Sequence, residues 1–168
     1  MNTEKIVIEE WDTHHPHWSQ LQELINDLAQ TDWVAFQADW HLRSHILVAI
    51  QSHRVVGYLR YVVQPIGVEE DEPAVVFDGQ QLLEGKVIAF GVRVEDRRKG
   101  IGRQLQTRLI EDCRAKGCFQ IRSHSGVESM ENHALKLSMG FAMHVLVREH
   151  GKAGAYFLLP LKSAKSSE

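Results

Sequence analysis

The stretch that decides the fold reads VIAFGVRVEDRRKGIGRQL, from Val87 to Leu105. Residues 86–94 are strongly apolar and predict a core strand. A polar turn follows at 95–99. From about Gly100, Ile101, Leu105, Leu109 and Cys113 recur every four positions, which predicts a helix with one buried stripe, ended by Gly117. Arg97, Arg98 and Lys99 therefore stand directly before Gly100 and Gly102 at a helix start. The first turn of a helix carries N–H groups without internal partners, and the helix dipole adds roughly half a positive charge there. Glycines in that turn remove the Cβ atoms that would hold a phosphate away from the amides, and Arg97, Arg98, Lys99 and Arg103 add positive charge around it. Spacing separates the known anion-binding motifs. A P-loop needs GxxxxGK followed by Ser or Thr, which is absent. Gly100, Gly102 and Leu105 supply only two of the three glycines of GxGxxG, and a charged turn precedes them.

Outward from this stretch, residues 4–11 read as a short strand with Ile6 and Ile8 on one face, and after Pro16 the spacing of Trp18, Leu21, Ile25 and Leu28 is helical. Thr31 or Asp32 caps a second helix whose Trp33, Phe36 and Trp40 form one apolar stripe. Residues 46–51 and 55–63 are β-branched and aromatic runs separated by Ser52, His53 and Arg54, an antiparallel hairpin. Residues 64–85 are the longest poorly patterned segment, with Pro65, Gly67, the acidic run Glu69 to Glu72, Pro73, Gly79, Gly85 and a weak strand-like AVVF; such a connection is a binding loop or a solvated excursion. Residues 118–124 form a further strand. Ser125 or Ser129 caps a helix carrying Met130, Ala134 and Leu137, which Gly140 stops. Strands at 141–150 and 156–161, joined by a turn from Gly151 to Gly154, close the chain before a polar tail.

Composition bounds the rest. The chain has 168 residues, 43% apolar and 24% charged, which fits one compact domain over residues 1–161 with a tail at 162–168 and excludes disorder. A net charge of −3 argues against a nucleic-acid partner needing a broad basic surface. The longest apolar run, Ile46 to Ile50, is far short of the roughly 20 residues that span a bilayer, so no membrane partner is expected. Residues 1–12 carry Glu4, Glu9 and Glu10 in place of a basic, apolar leader, so no cleaved secretory signal is expected. Cys113 and Cys118 fit neither a disulfide framework nor a zinc-ligand spacing, and a reducing cytoplasm is the expected location.

The pattern Arg97-x-x-Gly100-x-Gly102 resembles the acyl-coenzyme A pyrophosphate loop of the GNAT superfamily of N-acetyltransferases, and the order of elements resembles that family over most of the chain. The segment from Asn132 to Phe141, NHALKLSMGF, is similar to the family's penultimate helix and its Gly-Phe ending. The resemblance implies an α/β (α+β) fold, a GNAT-like mixed central sheet of about seven strands flanked by about four helices. It implies an enzyme that transfers an acetyl group from acetyl-CoA to a primary amine by direct attack in a ternary complex, without a metal. By the same resemblance, the core strand parts from the strand ending near His124 and leaves Val92, Arg93 and Val94 to bind the pantetheine arm through main chain. Arg97, Arg98, Lys99, Gly100, Ile101, Gly102 and Arg103 would hold the pyrophosphate, and Asn132 joins the cofactor site. The acceptor is a small-molecule amine or a protein amino group, and terminal strands in this architecture often pair between protomers, giving a homodimer. One departure matters. The family often carries a tyrosine four residues before that last glycine, as the acid that protonates departing coenzyme A; here the position is Lys136.

Transfer to an amine needs a deprotonated nucleophile, charge stabilisation at the thioester oxygen and a proton for the leaving thiolate. An alkylammonium has a pKa of about 10.4, so a carboxylate base would help. Glu84, entering the core strand, is the candidate; its other reading is a surface glutamate at a loop end. A backbone N–H near Phe90 to Val92 is placed to stabilise the developing oxyanion. Tyr156 and His124 are the candidate acids in place of Lys136, and because thiol pKa values lie near 8.5, solvent can also supply the proton. The alternative function is a coenzyme A-binding regulatory or structural module that has lost transfer chemistry.

Ten histidines raise a metal reading, above all His14, His15 and His17, and His41 with His45 at the i, i+4 spacing of one helix face. No HExxH sequence or cysteine partner accompanies them, so no metal site is expected. Trp33, Phe36 and Trp40 wall a substrate cleft or, by default at helical spacing, pack in the core. The acidic run Glu69 to Glu72 attracts a cationic amine or is simply hydrated.

Overall fold

The computed structural model describes residues 4–147 and 153–161. It is a mixed α/β fold: β1 (Val7–Trp11), α1 (Trp18–Asp27), α2 (Thr31–Ala35), β2 (Arg43–Gln51), β3 (Arg54–Pro65), β4 (Val76–Phe77), β5 (Gln80–Gln81), β6 (Leu83–Val92), α3 (Ile101–Ala115), β7 (Gln120–Gly126), α4 (Met130–Ser138), β8 (Ala142–Val147) and β9 (Ala153–Pro160). Seven strands form one sheet in the order β1-β2-β3-β6-β7-β9-β8, and β4 with β5 makes a separate two-stranded ribbon. The expected mixed sheet and four helices are thus observed. The β6–β7 pair is parallel and in register from Glu84 opposite Gln120 to Val87 opposite Ser123, while β7–β9 and β8–β9 are antiparallel.

The residues gather into two compact units. The first takes the chain up to Val62 together with Ile88–Leu109. Its core is Trp11, Leu21, Leu24, Ile25, Val48, Val55, Tyr58 and Ala89. The helix-spaced Leu21 and Ile25 of α1 and the Ile101, Leu105 and Leu109 stripe of α3 are buried as their periodicity demands. Ser52 and His53, both with positive φ (52° and 59°), make a two-residue turn between β2 and β3, the backbone twist that a tight hairpin favours.

The second helix departs from expectation. It ends at Ala35, buries no residue, and leaves Trp33 58% exposed. Phe36 turns extended (φ −61°, ψ 129°) because the buried Arg60 of β3 donates Nη1 to the carbonyls of Trp33 (3.1 Å) and Phe36 (2.6 Å). A helix running on to Trp40 would need those carbonyls for its own i→i+4 bonds. Neither Thr31 nor Asp32 caps it; Gln30 occupies the cap position without a side-chain bond. His41 and His45 do not share a helix face, since His45 lies in β2, with Nδ1 2.5 Å from Glu10 and its ring stacked on Tyr61.

The second unit takes Val63–Val87 and the chain from Ile110 on. Helix α3 ends in it with a Schellman motif: Cys118 N–H donates to Cys113 C=O and Gly117 N–H to Arg114 C=O, with the two buried cysteines as the accompanying apolar contact. The last helix inverts the expected face. Met130 and Leu137 are exposed, Ala134 is exposed too, and the buried residue of α4 is Lys136. The cause lies in β7, whose Ser123 and Ser125 share a face and offer hydroxyls to Lys136 (2.6 Å) and Asn132 (3.2 Å), one helical turn apart. Ser125 is therefore a strand residue, and Ser129 caps α4 without a side-chain bond. β7 begins at Gln120, two residues later than expected. The expected turn at 151–154, the end of the strand at 141–150 and the tail at 162–168 fall wholly or partly outside the described residues.

Candidate active site

The anion loop belongs to the first unit, and its shape starts at β3. Arg93 N–H donates to Val56 C=O (2.8 Å), and the Arg93 guanidinium donates to Val55 C=O (3.3 Å). This draws the chain back to β3 and ends β6 at Val92, after which residues 94–96 form a 3₁₀ turn. Val94, expected in the strand, is outside it and 66% exposed; the amide of Arg93, expected to face the pantetheine arm, is already bonded within the fold. Val92 C=O receives Arg97 Nε at 3.1 Å.

The buried Asp96 closes that turn. It accepts Arg54 Nη2 at 2.6 Å and Lys99 Nζ at 2.9 Å, so Lys99 shares its charge with a carboxylate. Between the ends of the Asp96–Lys99 bridge, Arg98 holds φ +63°, a left-handed conformation that costs a non-glycine residue about 1–2 kcal/mol. Gly100 follows at φ +80°, and a Cβ built there would meet nothing within 4 Å. Gln104 N–H closes the first bond of the α3 ladder, onto Gly100 C=O at 3.1 Å. The amides of Ile101 and Gly102 therefore precede any helical partner, while the Ile101 side chain is buried beneath. Open space in front of Gly100, first-turn amides and the neighbouring Arg97, Arg98 and Arg103 fit a diphosphate.

The expected base lies in a buried ion network of the second unit. Glu84 is 0% exposed. Its oxygens accept Gln64 Nε2 (2.9 Å), Gln120 Nε2 (2.8 Å), Arg122 Nε (3.1 Å) and Arg122 Nη2 (2.9 Å). The reading of Glu84 as a surface glutamate at a loop end is thus wrong: it is buried, and both carboxylate oxygens accept hydrogen bonds within the fold. The acidic run is not merely hydrated either. Glu69 and Glu70 pair with Arg122, and Glu69 also accepts Lys86 Nζ at 2.9 Å. Burial opposes the Arg122 charge, and Glu84 with Glu69 and Glu70 outweighs it, so the guanidinium pKa rises. Burial likewise opposes ionised Glu69, and Lys86, Arg122 and Gln64 outweigh it, holding its carboxyl below the usual range.

Tyr156 faces this network, its ring centroid 5.2 Å from both Lys86 Nζ and Arg122 Cζ, and it meets His124 edge-on at 5.1 Å. The two candidate acids are therefore in contact. Lys136 is 1% exposed, bonded to Ser123 and 5.1 Å from the Phe157 ring centroid. Burial pushes its pKa down to about 8. Asn132 donates Nδ2 to Ser125 Oγ (3.2 Å) and keeps a buried Oδ1 without a partner.

A family model described as "Acetyltransferase (GNAT) family" matches residues 5–141. The chain belongs to the GNAT acetyltransferase family. It is accordingly an acetyl-CoA-dependent N-acyltransferase with an amino-group acceptor. No curated protein matches the sequence itself. Among solved structures, the ribosomal-protein-S18-alanine N-acetyltransferase from Escherichia coli is similar at 17% identity and TM-score 0.67, over 98% of this chain and 99% of that one. Arabidopsis thaliana NAA60 in complex with acetyl-CoA is similar at 12% and 0.68, over 92% and 96%. The IAA acetyltransferase from Bacillus cereus is similar at 17% and 0.60, over 94% and 100%. At such identities the likeness is one of fold.

In this GNAT chain, sequence reasoning missed Lys86, Arg122 and Asp96. A signal for the first two was present: Glu84 and Lys86 share one parity of β6, Gln120 and Arg122 one parity of β7, and the register sets Glu84 opposite Gln120 and Lys86 opposite Arg122. Among the described residues, no group of three or more His, Cys, Asp or Glu side chains is placed to hold a metal ion. None of the described helices is long and apolar enough to cross a membrane.

Proposed function

We propose that this protein transfers an acetyl group from acetyl-CoA to a primary amine, on a small molecule or a protein, by direct attack in a ternary complex. The observation that carries the reading is the loop from Arg97 to Arg103, with Gly100 at φ +80° and the Ile101 and Gly102 amides ahead of the first helical bond. Those amides, with Arg97, Arg98 and Arg103, bind the diphosphate; Lys99 contributes through its bridge with Asp96. Backbone at the end of β6, up to Val92, takes the pantetheine arm. Because Glu84 is saturated, proton movement falls to the His124–Tyr156 pair, an imidazole being able to accept and donate near neutral pH.

The test is incubation with acetyl-CoA and a panel of amines, following free thiol, with acetyl-CoA binding measured separately. Amine-dependent thiol release that Gly102→Glu abolishes, by setting bulk and negative charge against the diphosphate, supports the enzyme reading. Binding of acetyl-CoA with no thiol release on any amine of the panel overturns it.

A further inference from the structure

Gly154 lies inside β9, where glycine is an unfavourable choice: it offers no side chain to pack and loses more chain entropy on folding than any other residue. Its backbone does not require one, since its φ lies outside the left-handed region. The space around it does. A Cβ built at Gly154 would collide with His124 Nε2, stand 3.0 Å from His124 Cε1 and 3.2 Å from the Ser125 carbonyl oxygen. Gly126, its pairing partner on β7, is open, and a Cβ there would meet nothing within 4 Å. The crowding at Gly154 therefore comes from the imidazole lying over the β9 main chain and not from the pairing of the strands.

The register accounts for that approach. His124 stands directly opposite Tyr156, and Gly154 is two residues from Tyr156, so all three share one face of the sheet. The His124 ring leans diagonally onto Gly154, with Nε2 buried, and meets Tyr156 edge-on at 5.1 Å with an interplanar angle of 67°. Tyr156 forms one wall of the seat, and the bare Cα of Gly154 forms its floor. A methyl group on that floor is flanked by the main-chain carbonyl of Ser125, so the ring is the partner that has to move.

We infer that Gly154 is a positioning residue for acetyl transfer: by lacking a side chain it seats the His124 imidazole against β9 and beside Tyr156, in the orientation from which the ring moves the acceptor's proton. This rests on the reading above that gives proton movement to the His124–Tyr156 pair, and adds the residue that fixes the pair's geometry.

The experiment compares wild type, Gly154→Ala, His124→Ala and the double variant. The kcat and the KM for acetyl-CoA are measured with the amine of the panel that gives the fastest thiol release, and the His124 Cε1–H resonance and the melting temperature are followed without ligand. Gly154→Ala is expected to lower kcat roughly ten- to a hundredfold at unchanged KM, and to move the His124 resonance as the ring leaves the edge of Tyr156. In the His124→Ala background the ring is gone and the methyl fits, so adding Gly154→Ala causes no further fall in kcat. Losses that multiply in the double variant overturn the proposal, because the glycine then acts through the strand itself. A Gly154→Ala kcat within about twofold of wild type overturns it as well. If Gly154→Ala melts too low to assay, the melting temperatures of the same four proteins decide: recovery in the double variant to the value of His124→Ala supports the seat, and an equal fall in both backgrounds overturns it. His124→Ala at wild-type kcat refutes proton movement by His124, a different failure that shows without any change at Gly154.

Discussion

Replacing Lys136 with methionine isolates the cost of burying an ammonium where the fold supplies one hydroxyl and one ring. Burial lowers the Lys136 pKa from 10.5 to about 8. In the unfolded chain the group titrates at the ordinary lysine value, so between pH 8 and 10.5 the unfolded state holds a proton that the folded state lacks. Stability therefore rises with pH through that window; below pH 8 both states are charged and the folded state bears the full penalty. A depression of this size corresponds to about 3 kcal/mol. Methionine removes the penalty but forfeits the bond to Ser123 Oγ, worth about 1 kcal/mol, leaving a net gain of about 2 kcal/mol at pH 7. For a chain of this length that is a rise of roughly 4–8 °C in Tm. The assay is urea and thermal denaturation of both proteins from pH 7 to 10.5. The variant is expected to be the more stable at pH 7, with the gap closing as pH passes 8 and vanishing or reversing by 10.5. A gap of zero at pH 7, or one that does not move with pH, refutes the reasoning.

Two further substitutions separate roles within the candidate site. Glu84→Gln is expected to lower stability by about 3 kcal/mol in urea denaturation, because it places an amide donor against the donors of Arg122, Gln64 and Gln120 in a fully buried site. Its kcat is expected to stay within about tenfold of wild type; a drop of roughly 10²- to 10⁴-fold would restore Glu84 as the base. Asp96→Asn frees Lys99 and Arg54 and loosens the left-handed Arg98, so the KM for acetyl-CoA is expected to rise about tenfold with kcat little changed. A lowered KM would mean that Asp96 acts only as a like charge opposing the diphosphate.

What the sequence made legible follows from what periodicity measures. The stripe Ile101, Leu105, Leu109 and Cys113 is buried without exception, and the glycine turn falls at the start of α3, because both depend on residues a few positions apart. The failures share one cause, a polar partner distant in sequence. The expected Trp33–Phe36–Trp40 stripe assumed that helical carbonyls stay within their helix; Arg60, some 24 residues beyond Phe36, takes them instead. The expected Met130–Ala134–Leu137 face assumed that apolar side chains turn inward; Ser123 and Ser125 of β7 reward the opposite face, and Lys136 and Asn132 are drawn in. Glu84 read as a free carboxylate because its partner Arg122 lies 38 residues away, joined to it only once β6 and β7 pair in register. In each case a hydrogen bond to a charged or hydroxyl group outweighs the burial of one apolar face, as expected when the alternative is an unpaired polar group in the interior.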